Sequence, residues 1–217
     1  MTAVARRRTQ EERSAATKAR LLDATLECLA ELGYARTTTT EIAERGGVSR
    51  GAQLHHFPTK AELVTEAVAY LFDRRDEEFR AAFAKLPADA DRGAAAVDIL
   101  WSMVSGPTFH AWLELAVAAR TDPLLKPKVA FLTTRFTANV TRTFQELFPR
   151  PDAPAPYWGL APAFTFALLE GLALDLMVTP DSNEIHRVLD IWRGVARLVM
   201  SGAPLGIDHA IQPRNTR

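Results

Sequence analysis

A single cysteine, Cys28, stands among the 217 residues, so no intrachain disulfide can form. The five histidines, His55, His56, His110, His186 and His209, show neither H-x-x-x-H nor H-E-x-x-H spacing, and no Cys/His cluster has zinc-ligand spacing. Charge of one sign is lacking too: 26 Lys and Arg balance 26 Asp and Glu. No long apolar run is free of charge. The greasiest, residues 161–178, carries Glu170 and Asp175, and a charge at mid-bilayer costs about 2.5–3.5 kcal/mol. A buried helix is expected there, with no membrane partner. Arg6, Arg7 and Arg8 continue into Thr9-Gln10-Glu11-Glu12-Arg13 rather than into the apolar centre of a signal peptide. A cytoplasmic protein is the expectation.

Catalytic signatures are equally scarce. There is no G-x-S-x-G, no glycine-rich phosphate loop, and Cys28 lies within an apolar helix face. The sequence sets no base beside a nucleophile. No catalytic residue, metal or cofactor is expected, and the chain reads as no enzyme.

What is present is apolar residues at helical spacing. They make up 47% of the chain, enough for a core. No stretch alternates with period two long enough to be a strand, and no repeat or low-complexity segment interrupts the pattern. The first helix spans about 10–32, with Leu21, Leu22, Thr25, Leu29 and Leu32 along one side, a T-x-x-E box at Thr9 and a stop at Gly33. Thr38-Thr39-Thr40-Glu41 opens a short helix that ends at Gly46-Gly47. Ser49 caps another, over 50–56, that must end before Pro58. Thr59-Lys60-Ala61-Glu62 opens a long helix closed by Pro87. Further helices follow at about 91–105, 107–119, 123–148, 157–178 and 182–201, with a proline-rich loop over 149–156. The class is all-α, with about nine helices.

Two short helices joined by a glycine turn, between two long ones, form a helix-turn-helix. Ala43 is small where the helices must approach, and Gly47 supplies the permissive backbone of the turn. Ile42, Val48 and Leu54 are candidates for the apolar underside. Arg50, Gln53, His55 and His56 would then point outward, all able to donate hydrogen bonds. Arg can bond guanine bidentately and Gln adenine, each worth about 1–3 kcal/mol of discrimination. Charge agrees: ten basic residues against seven acids leave +3 over the first 60 residues and −3 over the rest. A basic tip on an acidic body suits a polyanion.

The run from Thr38 to Gly51, followed by His55-His56-Phe57-Pro58-Thr59-Lys60, resembles the DNA-binding signature of the tetracycline-repressor (TetR) family. The resemblance implies a three-helix DNA-binding domain over 1–58 and a helical ligand-binding and dimerisation domain over 59–206; helical periodicity is lost after Gly202, and a flexible tail is expected over 207–217. It implies DNA contacts for Thr39 and Thr40 at the start of the second helix, and for Ser49, Arg50 and Gly51 at the leading end of the recognition helix. His55 and His56 match positions that reach phosphate or base edges, and Lys60 a common phosphate contact. One departure is plain: the family has a leucine then a tyrosine before the histidine pair, and this chain has Gln53-Leu54. Gln53 becomes a candidate base reader, and Leu54 a candidate for the packing role. Arg6, Arg7 and Arg8 could form an arm toward the minor groove.

Beyond Pro87, Trp101, Phe109, Trp112, Phe131, Phe136, Phe144, Phe164 and Phe166 fall on successive helices. The resemblance implies a small, largely apolar effector held between them; Trp101, Phe109, Trp112, Phe136 and Phe166 are candidate lining residues. Polar anchors would come from His110, Glu114, Arg120, Arg135, Asn139, Glu170 and above all Asp175. The helix over 161–178 is apolar almost all round, and Ile185, Val188, Leu189, Trp192, Val195, Ala196 and Val199 share one face of the next. Segments 157–178 and 182–201 are therefore expected to form a four-helix dimer interface. The expected function is a homodimeric repressor, released from a palindromic DNA operator by the effector, with the fourth helix as lever. The alternative keeps DNA binding but makes the body a docking surface for a protein partner.

Overall fold

Thr9 opens the first helix with a reciprocal cap. Its hydroxyl accepts from the Glu12 N–H at 3.1 Å, and its own N–H donates to Glu12 Oε2 at 2.7 Å. The structure is a computed structural model that describes residues 9–148, 158–180 and 183–202. The arm Arg6–Arg8, the loop 149–156, and the tail 207–217 fall outside the described residues, as do the expected helix starts Tyr157 and Ser182.

Among the described residues the chain is all-α: α1 Gln10–Arg36, α2 Thr39–Arg45, α3 Arg50–His56, α4 Lys60–Ala84, α5 Arg92–Val104, α6 Pro107–Ala119, α7 Leu125–Leu147, α8 Ala161–Val178 and α9 Asn183–Met200, with one 3-10 turn at Trp158–Leu160. The side-chain caps stand where their residue types suggest. Thr38 Oγ1 accepts from Glu41 N–H at 3.1 Å, Ser49 Oγ from Ala52 N–H at 3.3 Å, and Thr59 Oγ1 from Glu62 N–H at 3.1 Å.

The chain divides into two compact units. The first holds residues 1–71 and 110–132; the second holds 72–109 and 133–217. Helices α4, α6 and α7 therefore each belong to both. In the first unit, Leu21, Leu22, Thr25 and Leu29 of α1 are buried, as their spacing predicts. Their core is completed by Ile42 and Ala43 of α2, Val48, Phe57, and Leu63, Val64, Ala67 and Val68 of α4. Ala111 and Leu115 of α6 and Leu125 of α7 are buried in the same unit.

The second unit is centred on Phe79, Phe83, Ala96, Phe148, Trp158 and Val199, and on Val97, Leu169, Leu172, Ile185 and Leu189. Helix α5 packs closely on α9: a Cβ added to Gly93 would stand 3.0 Å from the Ala196 carbonyl oxygen. Ion pairs tie the same two helices, Arg193 to Asp98 at 2.7 Å and Arg197 to Asp91. Helix α8 buries Leu169, Leu172 and Ala173. Its opposite side leaves Phe164, Leu174, Met177 and Val178 exposed, Val178 by 80%. By length and composition alone Trp158–Val178 could cross a bilayer.

Candidate nucleic-acid interface

Position 46 to 48 builds the turn between α2 and α3. The Gly46 N–H donates to the Ile42 carbonyl at 2.9 Å, closing α2, and the Val48 N–H reaches the Ala43 carbonyl at 2.9 Å. Gly47 sits at φ +59°, a left-handed conformation that side chains resist. From outside the turn, Arg20 Nη1 donates to the Gly47 carbonyl at 3.3 Å. Arg45 locks α2 to α1 through Glu31 at 2.7 Å. The turn is thus held on both sides, and it sets the direction of α3.

Helix α3 has seven residues, and its exposed ones are Arg50, Gly51, Leu54 and His55. Steps of one, four and five residues put them on one side. Arg50 Nη1 donates to Thr40 Oγ1 at 3.4 Å, which joins the exposed start of α2 to this face. Thr39 is half-buried beside it. Ser49 spends its hydroxyl on the cap of α3. His55 is exposed and His56 half-buried, their rings edge to face at 5.6 Å. Nothing lies within 4 Å of where a Gly51 Cβ would stand, so the backbone is bare between Arg50 and Leu54.

Two expected contacts point elsewhere. Gln53, expected outward, is 0% exposed. Its Nε2 donates to the Phe57 carbonyl at 2.7 Å, while its Oε1 is buried with no partner. Leu54, expected beneath, is 45% exposed. The rotation of α3 follows from Phe57, buried four residues after Gln53 and bonded to it backbone to backbone at 2.8 Å. The second is Lys60. Gly33, at φ +75°, breaks α1 one turn before its end and frees the backbone of Tyr34. Lys60 Nζ donates to the Tyr34 carbonyl at 2.6 Å and lies 3.9 Å from the centre of its ring. Burial lowers the Lys60 pKa. This ammonium ties α4 to α1 instead of facing outward.

Tyr34 has a second partner, which no local pattern foreshadows. Its N–H donates to Glu114 Oε2 on α6 at 2.7 Å. Glu114, expected as an effector anchor, is therefore engaged at the end of α1. Only a distant charged partner for a kinked helix end could have suggested it.

The effector candidates scatter. Phe136 meets Phe166 edge to face at 5.2 Å and Phe72 at 4.3 Å, an aromatic group within the second unit. Phe109 is buried, and Trp101 packs with Leu169 and Leu172. Trp112 belongs to the first unit. Arg135 is taken by Asp73 at 2.6 Å, and Asn139 accepts from Arg142. Asp175 is exposed, because α8 turns that side outward; the half-buried acid is Glu170, whose pKa burial raises.

A glycine turn that aims a short helix with an exposed arginine at its leading end defines a helix-turn-helix DNA-binding protein. The family model described as bacterial regulatory proteins, tetR family, matches residues 21–67. The HTH-type transcriptional regulator CymR of Pseudomonas putida is 32% identical over 197 residues, covering 88% of this chain and 95% of CymR. The chain belongs to the TetR family of DNA-binding transcriptional regulators. A TetR-family regulator from Rhodococcus sp. shares the fold with a TM-score of 0.68 at 20% identity, over 86% of this chain and 99% of that one. FadR from Bacillus subtilis, in complex with stearoyl-CoA, does so with a TM-score of 0.58 at 14% identity, over 86% and 99%.

Proposed function

We propose that this regulator is a homodimeric repressor that works in the cytoplasm and leaves its operator when a small, largely apolar effector binds. The observation that carries the DNA-reading part is the exposed face Arg50, Gly51, Leu54 and His55, joined to Thr40 through Arg50. Arg50 enters the major groove as a bidentate guanine reader. Thr39, Thr40 and His55 position α3 on the backbone, and His56 is at the edge of the contact. Gln53 and Lys60 are left out, because both are engaged within the fold. Residues 1–58 read DNA; 59–206 bind effector and partner. The chain acts by binding and carries out no reaction.

The dimer is supported by the outer side of α8 and α9, where Phe164, Leu174, Val178, Ile191 and Leu198 are exposed. Such a patch, on helices of the second unit, suits a second copy of the same chain. Two copies read a near-palindrome with half-sites about one helical turn, or a multiple, apart. The aromatic group Phe72, Phe136 and Phe166, with half-buried Glu170 one turn along α8 from Phe166, supports an apolar effector. The stearoyl-CoA held by FadR, which shares the fold, carries a long apolar acyl chain on a charged head, so only its chain resembles that class. Because α4 belongs to both units, an effector that turns it changes the recognition helices, and DNA and effector weaken each other by the same factor.

Selection of bound duplexes from a random pool, at two salt concentrations with Arg50→Ala as control, tests this reading. An enriched inverted repeat that the variant does not select is expected. Salt-sensitive binding without any enriched sequence refutes it.

A further inference from the structure

The recognition helix carries an apolar side chain on its reading face, and its sequence neighbour is what keeps it there. Gln53 lies inside, its backbone N–H donating to Ser49 at 2.9 Å and its side-chain amide to the Phe57 carbonyl. Residues 53 and 54 are about 100° apart around a helix, so holding one inside turns the other out. Leu54 stands 45% exposed one turn after Arg50, with bare Gly51 and exposed His55 beside it. A rotation of α3 that buried Leu54 would turn the fully buried Gln53 out of the core by the same angle.

We propose that Leu54 is a specificity-determining residue that reads the C5-methyl group of a thymine in each operator half-site. The inference rests on DNA reading by the face of α3. A leucine has no hydrogen-bonding atom to offer a phosphate or the polar edge of a base. The apolar feature that the major-groove edges present is the thymine methyl, and contact with it is how apolar side chains discriminate there. Side chains at positions i and i+4 are about 5–6 Å apart, and stacked bases rise about 3.4 Å per strand step. A guanine under Arg50 and a thymine under Leu54 are then one or two steps apart. The open backbone at Gly51 lets the base edges approach between them.

The test uses a duplex enriched from a random pool by the full-length protein, and copies of it in which uracil replaces thymine at one position per half-site. That change removes the methyl and leaves every hydrogen-bonding group. Burying one methyl corresponds to roughly fourfold in affinity, so two half-sites give about fifteenfold. The expected result is one symmetric position, one or two steps from a guanine whose replacement Arg50→Ala tolerates, where uracil weakens the wild type by that factor. Leu54→Ala, on the same duplexes, should bind thymine and uracil equally. Wild-type binding indifferent to uracil at every position overturns the proposal. So does an equal loss for Leu54→Ala, which assigns the methyl to another side chain. If no duplex is enriched, sequence reading itself fails and Leu54 reads nothing; that outcome is distinct from a selected operator whose methyls are ignored. Because Leu54 is exposed, the variant's unchanged thermal unfolding certifies that it is folded.

Discussion

Exchanging Gln53 or Leu54 for alanine separates the two possible rotations of α3. Gln53 is fully buried, and its amide nitrogen donates to the Phe57 carbonyl at 2.7 Å. Truncation to alanine leaves that carbonyl without its donor, which costs about 1–3 kcal/mol. Emptying the space of the side chain adds a cavity cost of about 1–2 kcal/mol, below that of a full leucine. One contribution runs the other way: Oε1 is buried without a partner, and its removal returns about 1–2 kcal/mol. The balance is a destabilisation of about 2 kcal/mol, or about 4–8 °C in Tm for a chain of this size. Leu54→Ala removes a side chain that is 45% exposed, and the effect should stay within about 0.5 kcal/mol. Thermal unfolding followed by far-ultraviolet circular dichroism compares the two variants directly. If Leu54→Ala unfolds at the lower temperature, α3 is seated with Leu54 inward, and the reading face described above is wrong.

Three further outcomes follow from separate places in the fold. Gly33→Ala forces a side chain onto φ +75°, ψ 165°, a backbone region essentially confined to glycine and costing about 1–3 kcal/mol, with a Cβ placed 2.8 Å from Glu114 Oε2; Tm should fall, and Glu114→Ala should fall less, by the charge-assisted bond to Tyr34 alone. An equal or smaller loss for Gly33→Ala would argue against the kink. Glu170 has its pKa raised above the ordinary 4.5 by burial. The folded state therefore holds the proton longer, and stability falls as pH rises through the window above 4.5. Glu170→Gln should match the wild type below that window and exceed it in Tm at neutral pH; a gap that is constant with pH counts against burial as the cause. Finally, Leu174→Glu with Val178→Glu should give a folded monomer by sedimentation, with weakened operator binding. A dimer that survives both changes does not use the outer side of α8.

How far the sequence could be read depended on whether a segment carried its own asymmetry. Caps are local chemistry, so Thr9, Thr38, Ser49 and Thr59 marked their helices from residue types a few positions apart. The glycine turn was legible for the same reason, since a left-handed Gly47 is a local demand. Long α1 repeated its apolar residues often enough to orient itself. Helix α8 did not: being apolar nearly all round, it gave no sign of which acid faced inward, and packing in the second unit turned Glu170 in and Asp175 out. Lys60 was misread because its partner exists only through a break at Gly33, far away in sequence.

The pair Gln53-Leu54 is the instructive case. In a seven-residue helix the hydrophobicity of one side chain is a small vote, and it pointed Leu54 inward. Phe57 outvoted it. A buried aromatic four residues after position 53 requires position 53 to be on the same side, whatever stands there. The family pattern held this information as well, since it has an apolar leucine at position 53 and a polar tyrosine at 54. Read that way, the departure is an exchange of chemistry on both sides of one helix. A polar group goes into the core, where its nitrogen finds the Phe57 carbonyl, and an apolar group goes out to the face proposed to read DNA. On the proposed reading face, the tyrosine hydroxyl of the family pattern gives way to a side chain that can respond only to apolar features of the groove. This regulator should therefore depend less on backbone contacts at α3, and more on base identity, than a relative with the tyrosine.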